Sequence, residues 1–148
     1  MDVAFQVRPA AERDLAPIAR IERAVFSDPW PASAFRGLGY SHAWVAVEGD
    51  QVVGYLFGRV AADEAEILNV AVHPEHRRLG VARHLLETAL RQFRAVNART
   101  VYLEVRSANE TALAFYRSHD FKPVGTRRRY YQNPSDDAVV MARPIDLE

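Results

Sequence analysis

The sequence contains no cysteine, and this absence removes several kinds of chemistry at once. Without thiols the chain can form no disulfide, use no thiolate nucleophile and build no thiolate-rich metal site. Lysine is nearly absent as well, since Lys122 is the only lysine among 19 basic residues. Acidic residues also number 19, so the formal net charge is zero, and no strong field draws the protein to nucleic acid or to a membrane surface.

Long apolar runs are missing too, so the sequence predicts no membrane-spanning helix. The first five residues, Met-Asp-Val-Ala-Phe, lack the basic region and apolar region of a signal peptide. The length of 148 residues and the 49% hydrophobic content are typical of one globular domain, covering residues 1–148. We therefore expect a cytoplasmic, monomeric protein with no nucleic-acid or membrane partner.

Several familiar catalytic motifs are absent. The chain has no Gly-x-x-x-x-Gly-Lys-Ser/Thr loop, no three-glycine dinucleotide fingerprint, no His-Glu-x-x-His and no Gly-x-Ser-x-Gly. His73 and His76 are three residues apart, but they lie in a proline-containing segment with no third ligand nearby. The pattern predicts exposed loop histidines and no metal site.

Hydrophobic periodicity predicts four helices and seven strands. In the first helix Leu15, Ile18 and Ile21 recur at helical spacing, and Asp14 and Glu22 are assigned to the solvent side. The predicted helices cover residues 11–26, 32–37, 81 to at least 93, and 110–119; the predicted strands cover 5–8, 42–47, 52–60, 64–72, 100–106, 121–131 and 138–141. The order β-α-α-β-β-β-α-β-α-β-β predicts an α/β (α+β) fold, with a mixed, mostly antiparallel sheet and helices on both faces.

The segment Arg77-Arg78-Leu79-Gly80-Val81-Ala82 lies between an apolar strand and an amphipathic helix. A glycine loop that opens a helix leaves backbone N–H groups unpaired at the positive end of the helix dipole. Such a site suits an anion, usually phosphate, and two arginines add forked donors. The alternative interpretation is an ordinary surface loop before a helix.

Two side chains are candidates for proton transfer. Glu104 lies in the middle of a predicted strand, where glutamate is disfavoured, and it can serve as the base that deprotonates an incoming amine. Tyr116 lies on the following helix and can protonate a departing thiolate. The alternatives are a solvated carboxylate paired with a nearby arginine and a core tyrosine with its hydroxyl at the rim.

These segments resemble a known superfamily. Arg77, Gly80 and Ala82 match Arg/Gln-x-x-Gly-x-Gly/Ala, the pyrophosphate loop of the GNAT superfamily of acyl-CoA-dependent N-acyltransferases. Further segments resemble the bacterial ribosomal-protein-alanine N-acetyltransferases within it: Leu103-Glu104-Val105-Arg106, Asn109, Ala114-Phe115-Tyr116, Asp120-Phe121, Arg128-Arg129-Tyr130-Tyr131 with the following hairpin, and Phe26-x-x-Pro29-Trp30. Two departures are Ala82, where many members have glycine, and His119-Asp120 in place of the commoner Leu-Gly.

The resemblance implies an acetyl-CoA-dependent acetyltransferase that acts by direct transfer and uses no metal. It implies Glu104 as the proton acceptor and Tyr116 as the proton donor. The acceptor implied is the N-terminal alanine of a small-subunit ribosomal protein. It also implies cofactor contacts from Val70, Ala71, Val72, Arg77, Arg78, Leu79, Gly80, Val81, Ala82 and Asn109, and we expect Trp30, Tyr130 and Tyr131 to wall the acceptor site.

Other functions remain open from the sequence. The same chemistry fits other protein N-termini, lysine side chains or a small amine. A non-catalytic acyl-CoA-binding module and a nucleotide-binding regulator are alternatives of other classes. Asp136 and Asp137 can attract a positively charged N-terminus or simply cap the predicted turn, and the turn interpretation is favoured.

Overall fold

The computed structural model describes residues 5–77 and 80–145, which form a seven-stranded mixed sheet with helices on both faces. This confirms the predicted fold class and element order. The elements are β1 (Gln6–Pro9), α1 (Leu15–Val25), α2 (Ala32–Leu38), β2 (Ala43–Glu48), β3 (Gln51–Ala61), β4 (Glu64–Val72), α3 (Val81–Ala95), β5 (Thr100–Arg106), α4 (Glu110–Arg117), β6 (Lys122–Tyr131) and β7 (Asp136–Pro144).

The strand order is β1-β2-β3-β4-β5-β7-β6, and only the central β4–β5 pair is parallel. That parallel pairing covers just three residue pairs, from Glu64↔Thr100 to Glu66↔Tyr102. Beyond them β4 stays paired only with β3, and β5 stays paired only with β7. The sheet is therefore open between the C-terminal ends of its two central strands.

A β-bulge lies where the two strands separate. Ile67 and Asn69 pair with Gly58 and Phe57 on β3, so Leu68 between them has no partner residue. A bulge bends its strand and increases the local twist. The bend turns the last part of β4 away from β5.

Alternation along the strands produces one core on each face of the sheet. Phe35 of α2 packs with Tyr55 and Phe57 on the first face, together with the apolar side of α1. Leu85 and Phe93 of α3, with Leu113 and Tyr116 of α4, form the core on the second face.

The alternation of β5 decides where its polar side chains point. Val101, Leu103 and Val105 belong to the core on the α3/α4 face and are at most 5% exposed. Since successive side chains point to opposite faces, Glu104 and Arg106 lie on the face covered by α1 and α2.

Several predictions about element ends and faces are wrong. α1 begins at Leu15 rather than residue 11, because Glu12–Asp14 form a separate 3-10 turn, and β7 ends at Pro144 rather than residue 141. β7 begins at Asp136 rather than residue 138, because Asp136 pairs with Tyr131 of β6. Asp14 and Glu22 were assigned to solvent but are 2% and 1% exposed. Both carboxyl groups are buried because hydrogen-bond donors surround them, which satisfies their acceptor capacity. No helix among the described residues is long and apolar enough to cross a membrane.

Candidate active site

The N-terminus of α3 has the backbone geometry on which the prediction of an anion site depends. Gly80 has φ +81°, a left-handed conformation that favours glycine, and it precedes the first helical residue. The first backbone bond of the helix runs from His84 N–H to the Gly80 carbonyl at 3.0 Å, so the N–H groups of residues 81–83 have no partner within the helix. A Cβ at Gly80 would meet no atom closer than 3.8 Å, so the space beside it is open. Arg77 is exposed beside this turn, whereas Arg78 and Leu79 lie outside the described residues.

The open edge of β4 is the second part of the site. Val70, Ala71 and Val72 pair with β3 on one side and have no pairing with β5 on the other. Ala71 and Val72 are buried and Val70 is partly buried, so this edge is not a solvent-facing rim. Backbone groups that are freed from a ladder inside a sheet need another partner, such as a bound substrate.

Glu104 lies beside the opening between β4 and β5, with its side chain 17% exposed. Its carboxylate forms an ion pair with Arg127 of β6, and the Arg127 guanidinium lies 5.3 Å from the centre of the Tyr130 ring. The pKa of Tyr130 is raised, chiefly by burial and then by the nearby charge of Glu104. The predicted base is therefore paired with Arg127 of β6 and lies near Tyr130 of the same strand.

Tyr116 lies on α4 and is 6% exposed. Burial raises the pKa of its phenol well above the usual range, and Tyr131 adds a smaller contribution. Tyr131 is half-buried, and its pKa is raised to about 12, first by burial and then by Glu104. No hydrogen bond to the Tyr116 hydroxyl is found within the described part of the chain, and none joins it to Glu104. The raised pKa keeps the phenol protonated at neutral pH.

Two segments lie on either side of the opening on the α1/α2 face. The first is the α1–α2 loop, residues 26–31, which carries Trp30, and the ring of Trp30 packs on Phe35 with centroids 5.3 Å apart. The second is the β6–β7 turn, residues 132–135. Arg106 of β5 holds this turn by donating to the carbonyls of Pro134 at 2.7 Å and Gln132 at 2.8 Å.

A hydrogen bond joins these two segments directly. The Ser27 hydroxyl of the α1–α2 loop donates to the Asn133 carbonyl of the β6–β7 turn at 2.7 Å. Arg106 also lies over the Tyr131 ring, 4.6 Å from its centre, and so fixes the ring beside the turn. We call the space between the α1–α2 loop and residues 130–135 the slot; the Ser27–Asn133 contact bridges it.

The other polar residues of this region have structural partners. Asp136 accepts hydrogen bonds from the Ser107 hydroxyl and the Ala108 N–H, and Asp137 accepts one from the Arg129 N–H at 2.9 Å. These hydrogen bonds support the interpretation of the two aspartates as turn-stabilising residues rather than as a free anionic site. Asn109 caps α4 by accepting from the Ala112 N–H at 3.1 Å, as its N-cap pattern predicts.

Sequence reasoning missed one polar group that belongs to this region. Glu22 of α1 accepts hydrogen bonds from the Tyr55 hydroxyl, from Asn69 Nδ2 at 2.9 Å and from the Trp30 N–H at 3.0 Å. A signal was present in the sequence, because Glu22 lies four residues after Ile18 and thus on the apolar stripe of the helix. Burial raises the pKa of Tyr55 well above its usual range, with further contributions from Glu22.

The prediction of exposed loop histidines is wrong for His76. Its side chain is 14% exposed, with Nε2 3.3 Å from a carboxylate oxygen of Glu48. His73 Nδ1 accepts from the Glu75 N–H at 3.1 Å. Within residues 5–77 and 80–145, no group of three or more histidine or acidic residues is placed to hold a metal ion.

Comparison with known proteins identifies the family. The profile of the acetyltransferase (GNAT) family matches residues 13–121, well over half of the chain. The chain belongs to the GNAT family. It is accordingly an N-acetyltransferase, and the resemblance found in the sequence is confirmed.

Individual GNAT relatives cover nearly the whole chain. The [ribosomal protein bS18]-alanine N-acetyltransferase of Escherichia coli strain K12 is 32% identical, over 90% of this chain and 93% of its own length. The N-alpha-acetyltransferase RimI of Mycobacterium tuberculosis is 40% identical, over 84% of this chain and 83% of its own. A crystal structure of the E. coli ribosomal-protein-S18-alanine N-acetyltransferase matches with a TM-score of 0.90 and 28% identity, covering 97% of this chain and 96% of that one.

Proposed function

We propose that the protein transfers the acetyl group of acetyl-CoA to the N-terminal alanine of a small-subunit ribosomal protein. The observation that carries this proposal is the opening between β4 and β5, with Glu104 beside it and the N-terminus of α3 following the end of β4. The acceptor is inferred from the relatives above, which are named for acetylation of a ribosomal-protein alanine or of an α-amino group.

The CoA part of the donor fits the α3 end of the opening. The unpaired N–H groups of residues 81–83 and the helix dipole favour the pyrophosphate, and the left-handed Gly80 leaves room for its approach. Arg77 adds positive charge at the rim, with Arg78 assigned the same role from the sequence. The pantetheine arm would then lie along the open edge of Val70–Val72, and Asn109 would contact the donor from the start of α4.

The proposed reaction is a direct attack of the amine on the thioester. Glu104 accepts a proton from the attacking nitrogen, whose lone pair forms the new C–N bond. A backbone N–H of β4 after Val70 stabilises the negative charge that develops on the carbonyl oxygen. The C–S bond breaks, and the sulfur leaves with the bonding electrons towards the Tyr116 hydroxyl, which donates a hydrogen bond or its proton. The raised pKa of Tyr116 keeps that hydroxyl protonated at neutral pH.

The slot suits an extended chain end better than a compact metabolite. Its walls are the α1–α2 loop and the β6–β7 turn, two irregular segments between which an extended peptide end can lie. Tyr130 and Tyr131 supply aromatic surface near Glu104, and Trp30 supplies aromatic surface on the α1–α2 loop. An α-amino group that enters the slot would reach the Glu104 carboxylate at the bottom of the slot.

An acceptor screen tests this function. Peptides that begin with Ala, Ser, Met or Gly are compared with N-blocked peptides containing lysine and with polyamines, using acetyl-CoA as donor. Free thiol release is followed with a disulfide reagent, to which this cysteine-free protein contributes no background. We expect the free alanine peptide to be acetylated fastest.

Any other outcome of the screen or of ligand binding would indicate a different function. Acetylation of N-blocked lysine peptides or polyamines, with none at free alanine, would leave the family assignment intact but overturn the acceptor. Binding of acetyl-CoA without turnover on any acceptor would indicate a non-catalytic acyl-CoA-binding module. Binding of ATP in preference to CoA would indicate a nucleotide-binding regulator.

A further inference from the structure

Glu22 is the most deeply buried acidic side chain in the described structure, at 1% exposure. One carboxyl oxygen accepts from the Tyr55 hydroxyl and from Asn69 Nδ2, and the other accepts from the Trp30 N–H. None of its partners among the described residues is a cation. Burying a carboxyl group in this way is costly unless every acceptor site is satisfied, so the arrangement is tightly constrained.

The three partners come from three separate parts of the candidate site. Trp30 lies near the end of the α1–α2 loop, which is one wall of the slot. Asn69 lies on the freed part of β4, one residue before Val70, and Tyr55 lies in the middle of β3. A single carboxyl group therefore fixes the loop relative to the strand edge on which the acceptor and donor are proposed to meet.

We propose that Glu22 is a positioning residue that sets the distance between the α1–α2 loop and β4, and hence the width of the acceptor slot. The inference rests on the proposed function, because it treats the loop as an acceptor wall. Trp30 N–H is the only backbone group of residues 26–31 whose bond to a buried side chain is seen. Losing that bond leaves the loop attached through the Trp30–Phe35 ring contact and the Ser27–Asn133 bond.

Asp14 offers a matched comparison within the same part of the fold. It is 2% exposed and also accepts three hydrogen bonds, from both terminal nitrogens of Arg8 at 2.9 Å and from the Ala11 N–H at 2.8 Å. Its partners lie in or near β1, at the opposite end of α1 from the loop. Asp14 and Glu22 are thus similar in burial and hydrogen bonding, but only Glu22 touches the slot.

The test compares Glu22→Gln with Asp14→Asn. Glutamine keeps the size of the side chain, but its NH2 group must face either the Trp30 N–H or the Tyr55 and Asn69 donors, so at least one bond is lost. We expect Glu22→Gln to raise the acceptor-peptide KM about tenfold, the scale of one buried hydrogen bond, and to change the acetyl-CoA Kd less than about twofold. Asp14→Asn should lower Tm to a similar extent and leave the peptide KM unchanged.

Trp30 itself gives a second readout that needs no acceptor. In a Trp44→Phe background Trp30 is the only tryptophan, and its quenching by acrylamide reports the position of the loop. Adding Glu22→Gln should increase the quenching, whereas adding Asp14→Asn should not. Glu22→Asp, which keeps both oxygens on a shorter stem, should restore part of the peptide affinity.

Two outcomes overturn the proposal. If Glu22→Gln lowers Tm but leaves peptide KM and Trp30 quenching unchanged, Glu22 is only a core residue. If peptide KM and acetyl-CoA Kd worsen together, the whole site has been disturbed and no specific positioning exists. Wild-type protein is run on the full acceptor screen alongside. If the wild-type protein prefers another amine, the proposed acceptor is wrong. The Glu22→Gln and Asp14→Asn variants are then compared by their KM for that amine and by Trp30 quenching.

Discussion

Glu104 is the residue on which the proposed chemistry most depends. Glu104→Gln keeps the shape but cannot accept the proton, so turnover should fall about a hundredfold or more with acetyl-CoA affinity retained. Glu66→Gln is the matched control, because Glu66 is also a strand glutamate paired with an arginine, Arg59, at 2.8 Å. Steady-state rates across pH 6 to 9 measure both variants. Near-normal activity of Glu104→Gln over that range would make Glu104 a structural carboxylate.

We expect the Asp14 carboxylate to make a contribution to folding stability that is lost at acid pH. Burial raises the pKa of Asp14, but hydrogen bonds from Arg8 and the Ala11 N–H, with the charge of Arg8, outweigh burial and lower it overall from 3.8. A carboxyl group with a lowered folded-state pKa stabilises the fold above its unfolded-state pKa and loses this contribution as pH falls through the folded-state pKa.

Wild type should therefore exceed Asp14→Asn in Tm at neutral pH, with the difference shrinking below about pH 4, near the unfolded pKa of aspartate. Thermal melts at several pH values measure this difference. A difference that stays constant down to pH 2 would show that the charge of Asp14 does not contribute.

At this scale burial was the harder property to predict. Glu104 could be singled out because glutamate is disfavoured at a strand centre, and its role as a base, like that of Tyr116 as an acid, stays a prediction. The helical spacing of Glu22 from Ile18 indicates its burial, but its partners could not be predicted from local pattern, because two of them, Tyr55 and Asn69, are 33 and 47 residues away. A buried polar group is defined by distant contacts, which periodicity does not contain.

The N-terminus of α3 gives a prediction about donor binding. Gly80→Val places a β-branched residue at φ +81°, a conformation that such residues rarely adopt, and adds bulk beside the unpaired N–H groups. We expect CoA affinity to fall at least about tenfold, since the anion site must reorganise. Gly125→Val on β6 is the control, because that position has open space and an ordinary backbone. Equal CoA affinity of the two variants, measured by calorimetry, would rule out phosphate binding at Gly80.

The β6–β7 hairpin gives a prediction about the acceptor. Tyr131→Ala removes a half-buried ring that Arg106 covers at 4.6 Å, and should raise the peptide KM more than it changes acetyl-CoA affinity. Tyr40→Ala serves as control, because Tyr40 contacts Glu12 and Phe57 away from the slot. Kinetics with varied peptide and fixed saturating donor separate the two effects. A larger change in donor affinity would place Tyr131 in the donor site instead.

Element boundaries were predictable where one signal was dominant. β4 and β5 have the predicted bounds because apolar or alternating residues run to both ends. The start of β7 was missed because Asp136 and Asp137 are poor strand formers. Their place in the strand comes from pairing with β6 and from bonds to Ser107, Ala108 and Arg129, which are tertiary effects.

For the molecule as a whole, the β4–β5 junction is the least extensively paired line through the middle of the sheet. Three residue pairs join it, whereas β3–β4 and β5–β7 are paired along most of their length. In residues 67–72 and 103–106 every second backbone amide faces the opening. These amides should exchange with solvent faster than the amides that face β3 or β7. CoA should slow that exchange on β4. Hydrogen exchange followed by NMR measures this, and uniform protection without ligand would contradict an open junction.

The separation of β4 from β5 could not be predicted from sequence. The α3 segment between the two strands predicts a crossover connection and hence a parallel pair. The extent of pairing depends on the bulge at Leu68 and on the register of four neighbouring strands, and no local pattern reports these. The fold class was accessible from the sequence, whereas the opening that makes it a candidate enzyme was not.

The Ser27–Asn133 bridge has a consequence for timing in the cell. With both walls joined above the opening, an acceptor has to enter end first, and several of its residues must be free of any other contact while it does so. A terminus already packed into a finished assembly cannot meet that demand. Under the proposed function, acetylation would therefore precede the incorporation of the acceptor into its particle. An acetylated N-terminus in the assembled particle would then have been modified while the acceptor protein was still free.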